Sequence, residues 1–236
     1  MEFTEFQFDD SLQEGIDSMG YRTATPVQEK VIPPILEGKD IIAAAQTGTG
    51  KTAAFLLPVL QKLLTQPHEG HKINAMIIVP TRELALQIAQ TLEGISYFTS
   101  ISSIAVYGGG GGELFATEKK ALSKGVDIVI CTPGRMISHL YMGYVKLDGL
   151  KYLILDEADR MLDMGFFEDI IKITSYIPKL RQNLMFSATM PPSIRKLAHS
   201  ILNNPVEINI AISKPPEQIA QGAYLVYEAQ KVPLVK

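Results

Sequence analysis

The sequence predicts an α/β fold built on a mostly parallel sheet with helices on both faces. Three observations predict it: short apolar runs recur along the chain, helical patterns separate most of them, and polar or glycine-rich segments follow most of the runs. Strands and helices in alternation are typical of a parallel sheet whose two faces are covered. Ligands of such sheets bind beyond the carboxyl ends of the strands, so we expect the polar segments to line one edge.

The predicted elements follow from the period of the apolar residues. Short apolar runs predict strands at 41–45, 75–79, 104–107, 126–131, 152–155, 183–186 and 206–212. Segments whose apolar residues recur three and four positions apart predict helices at 52–64, 83–92, 113–123, 166–177 and 193–202.

Composition limits the possible classes of protein. With 236 residues, 46% of them hydrophobic, the chain has enough apolar material for one large domain or two small ones. A net charge of −3 argues against a broadly basic nucleic-acid binder, so any such contact must be local. The single cysteine, Cys131, excludes an internal disulfide framework and is expected to be a buried, inert thiol. No signal peptide or membrane-spanning run is recognised, so we expect a soluble, cytoplasmic protein.

The segment IIAAAQTGTGKTAAF, at 41–55, predicts a phosphate-binding loop. Its glycines stand between a predicted strand and a predicted helix, where unpaired N–H groups and the helix dipole favour an anion. Gly48 and Gly50 would let backbone amides close around a polyphosphate. Lys51 would add a positive charge for the β- and γ-phosphates, and Thr52 would offer a hydroxyl to Mg²⁺. The loop is typical of Walker A except for alanine at the first glycine position; the alternative is a flexible turn with a solvated lysine.

An acidic segment, DEAD at 156–159, follows the fifth predicted strand. The strand would deliver Asp156 to the edge of the sheet, where its carboxylate can reach a Mg²⁺ held by Thr52. Glu157 is placed to orient or deprotonate a water molecule aimed at the γ-phosphate. The alternative is a solvated acidic turn that begins a helix.

These and five further segments carry a resemblance to a known family. The segments are GYRTATPVQ at 20–28, AQTGTGKT at 45–52, PTRELA at 80–85, GG at 108–109, TPGR at 132–135, DEAD at 156–159 and SAT at 187–189. In their order and spacing they resemble the DEAD-box RNA helicases of superfamily 2, over nearly the whole chain. The resemblance implies a RecA-like P-loop fold, and an ATP-dependent helicase that unwinds short RNA duplexes or remodels RNA.

The resemblance assigns roles around the nucleotide. Gln28 is similar to the residue that reads adenine, which implies ATP rather than GTP. Phe3 and Tyr21 would pack near the base, or are ordinary core aromatics. The implied nucleotide-binding set is Phe3, Tyr21, Gln28, Gln46, Thr47, Gly48, Thr49, Gly50, Lys51 and Thr52.

The implied catalytic set is Lys51, Asp156, Glu157, Ser187 and Thr189, with Thr52 and Asp156 as the Mg²⁺ ligands. Ser187 and Thr189 resemble hydroxyls that bond to Asp156 or Asp159 and link the ATP site to domain closure. Their alternative role is a local turn bond.

The resemblance also implies an RNA surface. Arginine and hydroxyl contacts to phosphates would position one strand without reading its bases, so sequence preference should be weak. The alternative is that the two arginines are solvated residues at helix starts. The implied RNA-binding residues are Pro80, Thr81, Arg82, Gly108, Gly109, Thr132, Pro133, Gly134 and Arg135.

We interpret residues 1–212 as one RecA-like domain and 213–236 as a linker toward a second RecA-like domain of the same polypeptide. The family's second domain supplies an arginine finger, so this chain alone should hydrolyse ATP very slowly or not at all. Three other classes stay open: a DNA translocase of the same superfamily, a P-loop kinase or GTPase, and a non-catalytic binding module.

Overall fold

The computed structural model describes residues 1–46, 48–66, 72–210, 225–227 and 230–231. Within these residues, seven strands form one sheet in the order β3-β4-β2-β5-β6-β1-β7, and every pair of neighbours is parallel. The strands are β1 (Ile41–Ala44), β2 (Ala75–Ile78), β3 (Ser103–Val106), β4 (Ile128–Cys131), β5 (Tyr152–Leu155), β6 (Gln182–Ser187) and β7 (Val206–Asn209). The predicted parallel α/β fold is therefore confirmed.

Helices precede the sheet and connect its strands. A short 3₁₀ helix (Phe3–Phe6) begins the chain. The α-helices are α1 (Asp10–Ser18), α2 (Pro26–Leu36), α3 (Lys51–Thr65), α4 (Arg82–Ile95), α5 (Gly111–Lys124), α6 (Pro133–Tyr141), α7 (Ala158–Asp163), α8 (Phe167–Ser175) and α9 (Pro192–Ile201).

The five strands between β3 and β7 are buried on both faces of the sheet, which explains why most of their positions are apolar. Alternate residues of each strand point to opposite faces and join two separate clusters. Ile77 and Ile154 lie in the cluster with α2, α3 and α4, whereas Ile78 and Leu155 lie in the cluster with α6, α8 and α9. Cys131 is fully buried in the second cluster and burial raises the pKa of its thiol, as expected for an inert cysteine.

The strand order divides the carboxyl edge of the sheet into two halves. Three adjacent strands, β5, β6 and β1, are followed by the DEAD segment, the SAT segment and the phosphate loop. Three further adjacent strands, β3, β4 and β2, are followed by the glycine run, TPGR and PTRELA, and β7 lies at the edge beside β1. We call these the nucleotide half and the RNA half, after the ligands that the resemblance implies for their motifs. Each set of motifs thus lies together although its members are far apart in the sequence.

Two sequence interpretations fall outside what the structure describes. The predicted boundary at residue 212, and most of the predicted linker 213–236, lie outside the described residues. Within the described part of the chain, no helix combines the length and the apolar character that a membrane crossing requires.

Candidate functional site

The phosphate loop connects β1 to α3, which begins at Lys51. Gly48 and Gly50 have φ angles of +80° and +90°, which glycine adopts without the cost that a Cβ would add. Thr47 lies outside the described residues. The Nζ of Lys51 is buried and has no hydrogen-bond partner among the described residues. A buried ammonium without a partner is costly, so this group fits a site for an anion such as a phosphate.

Gln28 packs directly against the phosphate loop. Its Oε1 accepts from the backbone N of Thr25 at 2.7 Å, closing a capping box at the start of α2. Its Nε2 donates to the carbonyl of Gly50 at 3.1 Å, and the Thr25 hydroxyl donates to the carbonyl of Thr49 at 2.9 Å. The amide oxygen and the amide nitrogen of Gln28 each keep one further hydrogen-bonding position that an adenine edge can use.

This close approach also explains the glycine at position 50. A Cβ there would lie 2.6 Å from Gln28 Nε2 and 3.1 Å from the Thr25 hydroxyl. The segment that would read the base and the loop that would hold the phosphates are therefore in direct contact.

A cavity of about 710 Å³ opens over the phosphate loop. Phe3 and Tyr21 stack at its side with ring centroids 6.0 Å apart, and Phe3 is buried. Of the predicted nucleotide and catalytic residues, Phe3, Tyr21, Gln28, Gly48, Gly50, Lys51, Thr52, Asp156 and Glu157 line this cavity. Gln46 and Thr49 instead line a neighbouring cavity of about 470 Å³.

Asp156 lies at the end of β5 and is 3% exposed. Burial raises the pKa of its carboxyl to about 6, while the nearby Lys51 ammonium and the Glu157 N–H act in the opposite direction. Its Oδ1 accepts from the Glu157 N–H at 2.9 Å. A buried carboxyl that is costly to ionise fits a site where a bound cation stabilises the charge.

The residues present fit a Mg²⁺–nucleotide complex. In the described part of the chain, no group of three or more His, Cys, Asp or Glu side chains could hold a metal ion. Magnesium with a nucleotide needs no such cage, because one or two protein ligands and the phosphate oxygens suffice. Thr52 and Asp156 line the same cavity and could supply those ligands.

Glu157 has the left-handed φ of +50°, which is unusual for a residue with a side chain. Such a conformation costs about 1–3 kcal/mol and persists only where the surroundings impose it. Here the turn between β5 and α7 imposes it and keeps Glu157 in the lining of the cavity. Its Oε2 lies 3.3 Å from Arg160 Nη1. An observed strain at a carboxylate facing a nucleotide-sized cavity favours a functional role.

The Thr189 hydroxyl contacts Asp159 rather than Asp156, whereas the Ser187 hydroxyl makes a local bond within the SAT segment. The backbone N and the hydroxyl of Thr189 donate to Asp159 Oδ2 at 3.0 and 2.9 Å, and the Ser187 hydroxyl donates to the Thr189 carbonyl at 2.7 Å. Partial burial acts against ionisation of Asp159, but the bonds from Thr189 and the nearby Ser187 hydroxyl keep its pKa below the ordinary value. Of the two predicted partners, Asp159 is the one that the structure brings into contact.

In the RNA half, the PTRELA and glycine segments lie side by side. Thr81 is the N-cap of α4 and accepts from the Leu84 N–H at 3.2 Å. Arg82 is exposed, and a Cβ on Gly109 would lie 3.4 Å from its Nη1. Gly108 and Gly109 are exposed, whereas Pro80 is buried. Exposed donors of both segments are therefore available on one surface.

The TPGR segment begins α6. Thr132 is the N-cap and its hydroxyl makes no capping bond, while Pro133 is buried in the first turn and Gly134 is exposed. Arg135 is half-buried, and its Nε donates to Glu118 Oε2 at 2.6 Å. This ion pair was not predicted from the sequence, where Arg135 was expected to contact phosphate.

Several site residues were not found from the sequence. Leu84, Gln87 and Thr91 of α4 line the nucleotide cavity, because α4 passes beside the phosphate loop. Glu118 is fully buried and is the shared partner of Arg135 and of the buried His139, at sequence separations of 17 and 21 residues that no local pattern connects. Nothing in residue spacing could have found these contacts, since they depend on how the helices pack.

Comparison with known proteins agrees with this geometry. The family model described as DEAD/DEAH box helicase matches residues 25–197. The chain is 42% identical over 230 residues to an ATP-dependent RNA helicase, CshA, of Listeria monocytogenes, covering 97% of this chain and 43% of that protein. It is 40% identical over 230 residues to the DEAD-box ATP-dependent RNA helicase RhpA of Helicobacter pylori, covering 97% of this chain and 45% of that protein.

A eukaryotic relative gives the same result. The chain is 44% identical over 209 residues to the probable ATP-dependent RNA helicase ddx27 of Dictyostelium discoideum, covering 88% of this chain and 26% of that protein. The chain thus spans less than half the length of these relatives. With the family model matching most of its length, the chain belongs to the DEAD/DEAH box helicase family.

Proposed function

We propose that this chain is the first RecA-like domain of an ATP-dependent RNA helicase that binds RNA through its backbone and remodels short duplexes. The observation that carries the proposal is the division of the sheet edge. The motifs expected to hold ATP follow β5, β6 and β1, and those expected to hold RNA follow β3, β4 and β2. A kinase or GTPase would need the nucleotide-binding motifs, but that function would not explain the motifs that follow β3, β4 and β2.

In the nucleotide half, the phosphates occupy the N-terminus of α3, where the partnerless Lys51 ammonium is buried. Gln28 recognises adenine with its free amide positions, beside Tyr21 and Phe3. Thr52 and Asp156 would hold Mg²⁺, which when bound would supply positive charge to neutralise the phosphates. Gln46, Thr47 and Thr49, which belong to the same segment of sequence, are also assigned to nucleotide binding.

For hydrolysis, Glu157 orients the attacking water and accepts its proton, since it lines the cavity in a fixed backbone conformation. Lys51 stabilises charge on the transferred phosphoryl group. Asp159, bound by Thr189, ties the SAT segment to the DEAD segment. A movement of one segment then displaces the other, which is a route from nucleotide state to domain closure.

In the RNA half, three helix N-termini lie at neighbouring strands, and their N–H groups favour phosphates. The accessible contacts to RNA come from Thr81, Arg82, Gly108, Gly109, Thr132 and Gly134. Arg135 lies beside them, and Pro80 and Pro133 shape the backbone. A few local contacts agree with a net charge of −3. We place the protein in the cytoplasm.

The complete enzyme requires a second RecA-like domain, in agreement with the share of its relatives that this chain covers. An arginine finger from that domain would contribute about 10³ to 10⁵ in rate. Together, ATP and RNA would close the two domains, bend one strand and separate a short duplex, and hydrolysis would release the product.

Steady-state ATP hydrolysis by this chain, with and without single-stranded RNA, tests the division of labour between the two domains. We expect the chain to bind nucleotide but to hydrolyse ATP at a rate near zero, which RNA does not raise. Lys51→Ala is the control that should lose nucleotide binding. RNA-stimulated turnover that Lys51→Ala abolishes would contradict the need for a second domain.

A further inference from the structure

A buried carboxylate connects two segments of the RNA half. One is the glycine run that follows β3, and the other is the TPGR segment that begins α6. Glu118, on α5, is fully buried. Its Oε1 accepts from the backbone N of Tyr107 at 3.0 Å, and its Oε2 accepts from Arg135 Nε at 2.6 Å and His139 Nε2 at 2.9 Å. A charge without solvent requires such partners, and here all three come from other elements of the fold.

The positions of the three donors give the carboxylate its importance. Tyr107 immediately precedes Gly108, and Arg135 is the last residue of TPGR. His139 follows one turn later on α6. One side chain therefore fixes where the exposed glycines leave β3 relative to the N-terminus of α6. Both segments would contact the same RNA strand, so their separation must match the spacing of its phosphates.

The aromatic residues around Glu118 hold its partners in place. The Arg135 guanidinium lies 4.5 Å from the centre of the Phe115 ring, and the His139 ring stacks on Phe115 with centroids 4.3 Å apart. The Nδ1 of His139 contacts the Tyr144 hydroxyl. Burial lowers the pKa of His139 and favours the neutral ring, so with Nε2 donating to Glu118 the Nδ1 accepts from the Tyr144 hydroxyl.

Only a carboxylate satisfies this arrangement. Three N–H donors point at two oxygens, and an amide would offer one oxygen and turn its NH₂ toward at least one donor. Glutamine at position 118 would therefore disturb either the Tyr107 contact or the contacts with α6, although its size is the same.

We propose that Glu118 is a positioning residue for RNA binding, which holds the glycine run and TPGR at the separation that one RNA strand requires. The inference rests on the proposed RNA-binding function of those two segments. Glu118 itself does not touch RNA, and Arg135 acts at least partly as its anchor.

The test measures the affinity of the whole chain for fluorescein-labelled oligouridine by anisotropy, at several salt concentrations. Glu118→Gln should weaken binding about tenfold or more. The slope of log affinity against log salt should change little, because Glu118 makes no phosphate contact of its own and the residues that make these contacts are all retained. Arg82→Ala, which removes a direct contact, should lower that slope by about 0.7. Glu113→Gln is the matched control, since it removes the same charge from an exposed position on the same helix and should not weaken binding.

Nucleotide binding and a second variant separate a positioning role of Glu118 from a general effect on folding. Glu118→Gln should bind a fluorescent ATP analogue as the wild type does, because the nucleotide half is unchanged. If that variant does not fold, Glu118→Asp replaces it: the charge remains, but the shorter side chain cannot reach both Tyr107 and Arg135, and the same loss is expected.

Wild-type RNA affinity in the folded Glu118 variant, alongside weakened binding by Arg82→Ala, would overturn the positioning role and leave the proposed function intact. Absence of RNA binding by the wild-type chain would instead refute the proposed function and, with it, this inference.

Discussion

Asp156→Asn should stabilise the ligand-free protein at neutral pH while weakening its binding of Mg²⁺–ATP. Burial raises the pKa of Asp156 to about 6 from the ordinary value of 3.8. One pKa unit corresponds to about 1.4 kcal/mol, so ionising this buried carboxyl costs up to about 3 kcal/mol of folding stability above pH 6. Asparagine has nearly the same shape, and its carbonyl can still accept from the Glu157 N–H.

The sign of the pH dependence follows from proton binding. Between about pH 4 and pH 6, the folded protein holds a proton on Asp156 that the unfolded chain has released. The free energy of unfolding of the wild type should therefore fall across that range as pH rises. The advantage of Asp156→Asn should be absent below about pH 4, grow up to about pH 6 and remain constant above it.

Urea unfolding followed by circular dichroism, at pH 4.5 and pH 7.5, measures this difference in free energy of unfolding. Asp159→Asn is the control from the same segment: the pKa of Asp159 is lowered, so this variant should lose stability above the unfolded pKa. The reasoning is refuted if Asp156→Asn is no more stable than the wild type at pH 7.5, or if its advantage is equal at both pH values.

Three further substitutions test the nucleotide half. Gly50→Ala places a Cβ 2.6 Å from Gln28 Nε2 at a φ of +90°, and should cost about 1–3 kcal/mol in unfolding free energy and weaken ATP binding. Gly112→Ala, with no atom within 4 Å of the added Cβ, is its control in thermal unfolding. Gln28→Ala should remove about 1–3 kcal/mol of preference for ATP over GTP, measured by competition with a labelled nucleotide; an unchanged preference would exclude Gln28 as the base reader. Glu157→Gln in the full-length protein should keep ATP binding and abolish hydrolysis, and wild-type turnover would eliminate its role as base.

The sequence predicted most elements of the fold because the sheet is buried on both faces. A strand that is apolar at nearly every position is visible without knowledge of its neighbours, and the predicted strand 152–155 coincides with β5. The fourth strand starts later than the predicted 126–131. The Asp127 carboxylate accepts from the backbone N of Ser102 at 2.8 Å and from the Ser102 hydroxyl at 2.7 Å, and β4 begins only at the next residue, Ile128.

The arrangement of the site could not be predicted from the sequence pattern, because it depends on strand order and on how the elements pack. Strand order decides which motifs become neighbours, and β2 pairs with β4 and β5, which follow much later in the chain. The Gln28–Gly50 contact and the choice of Asp159 as partner for Thr189 also depend on packing. Glu118 lies among charged residues of an amphipathic helix, so its complete burial could not be predicted from the sequence pattern.

The most direct test of the central claim maps the backbone amide signals of this chain by NMR while each ligand is added separately. Mg²⁺ with an ATP analogue should shift signals that follow β1, β5 and β6, including those of Gly48 and Gly50. Oligouridine should shift signals that follow β2, β3 and β4, including those of Arg82, Gly109 and Thr132. RNA-induced shifts confined to the nucleotide half, or spread without regard to the two halves, would contradict the account.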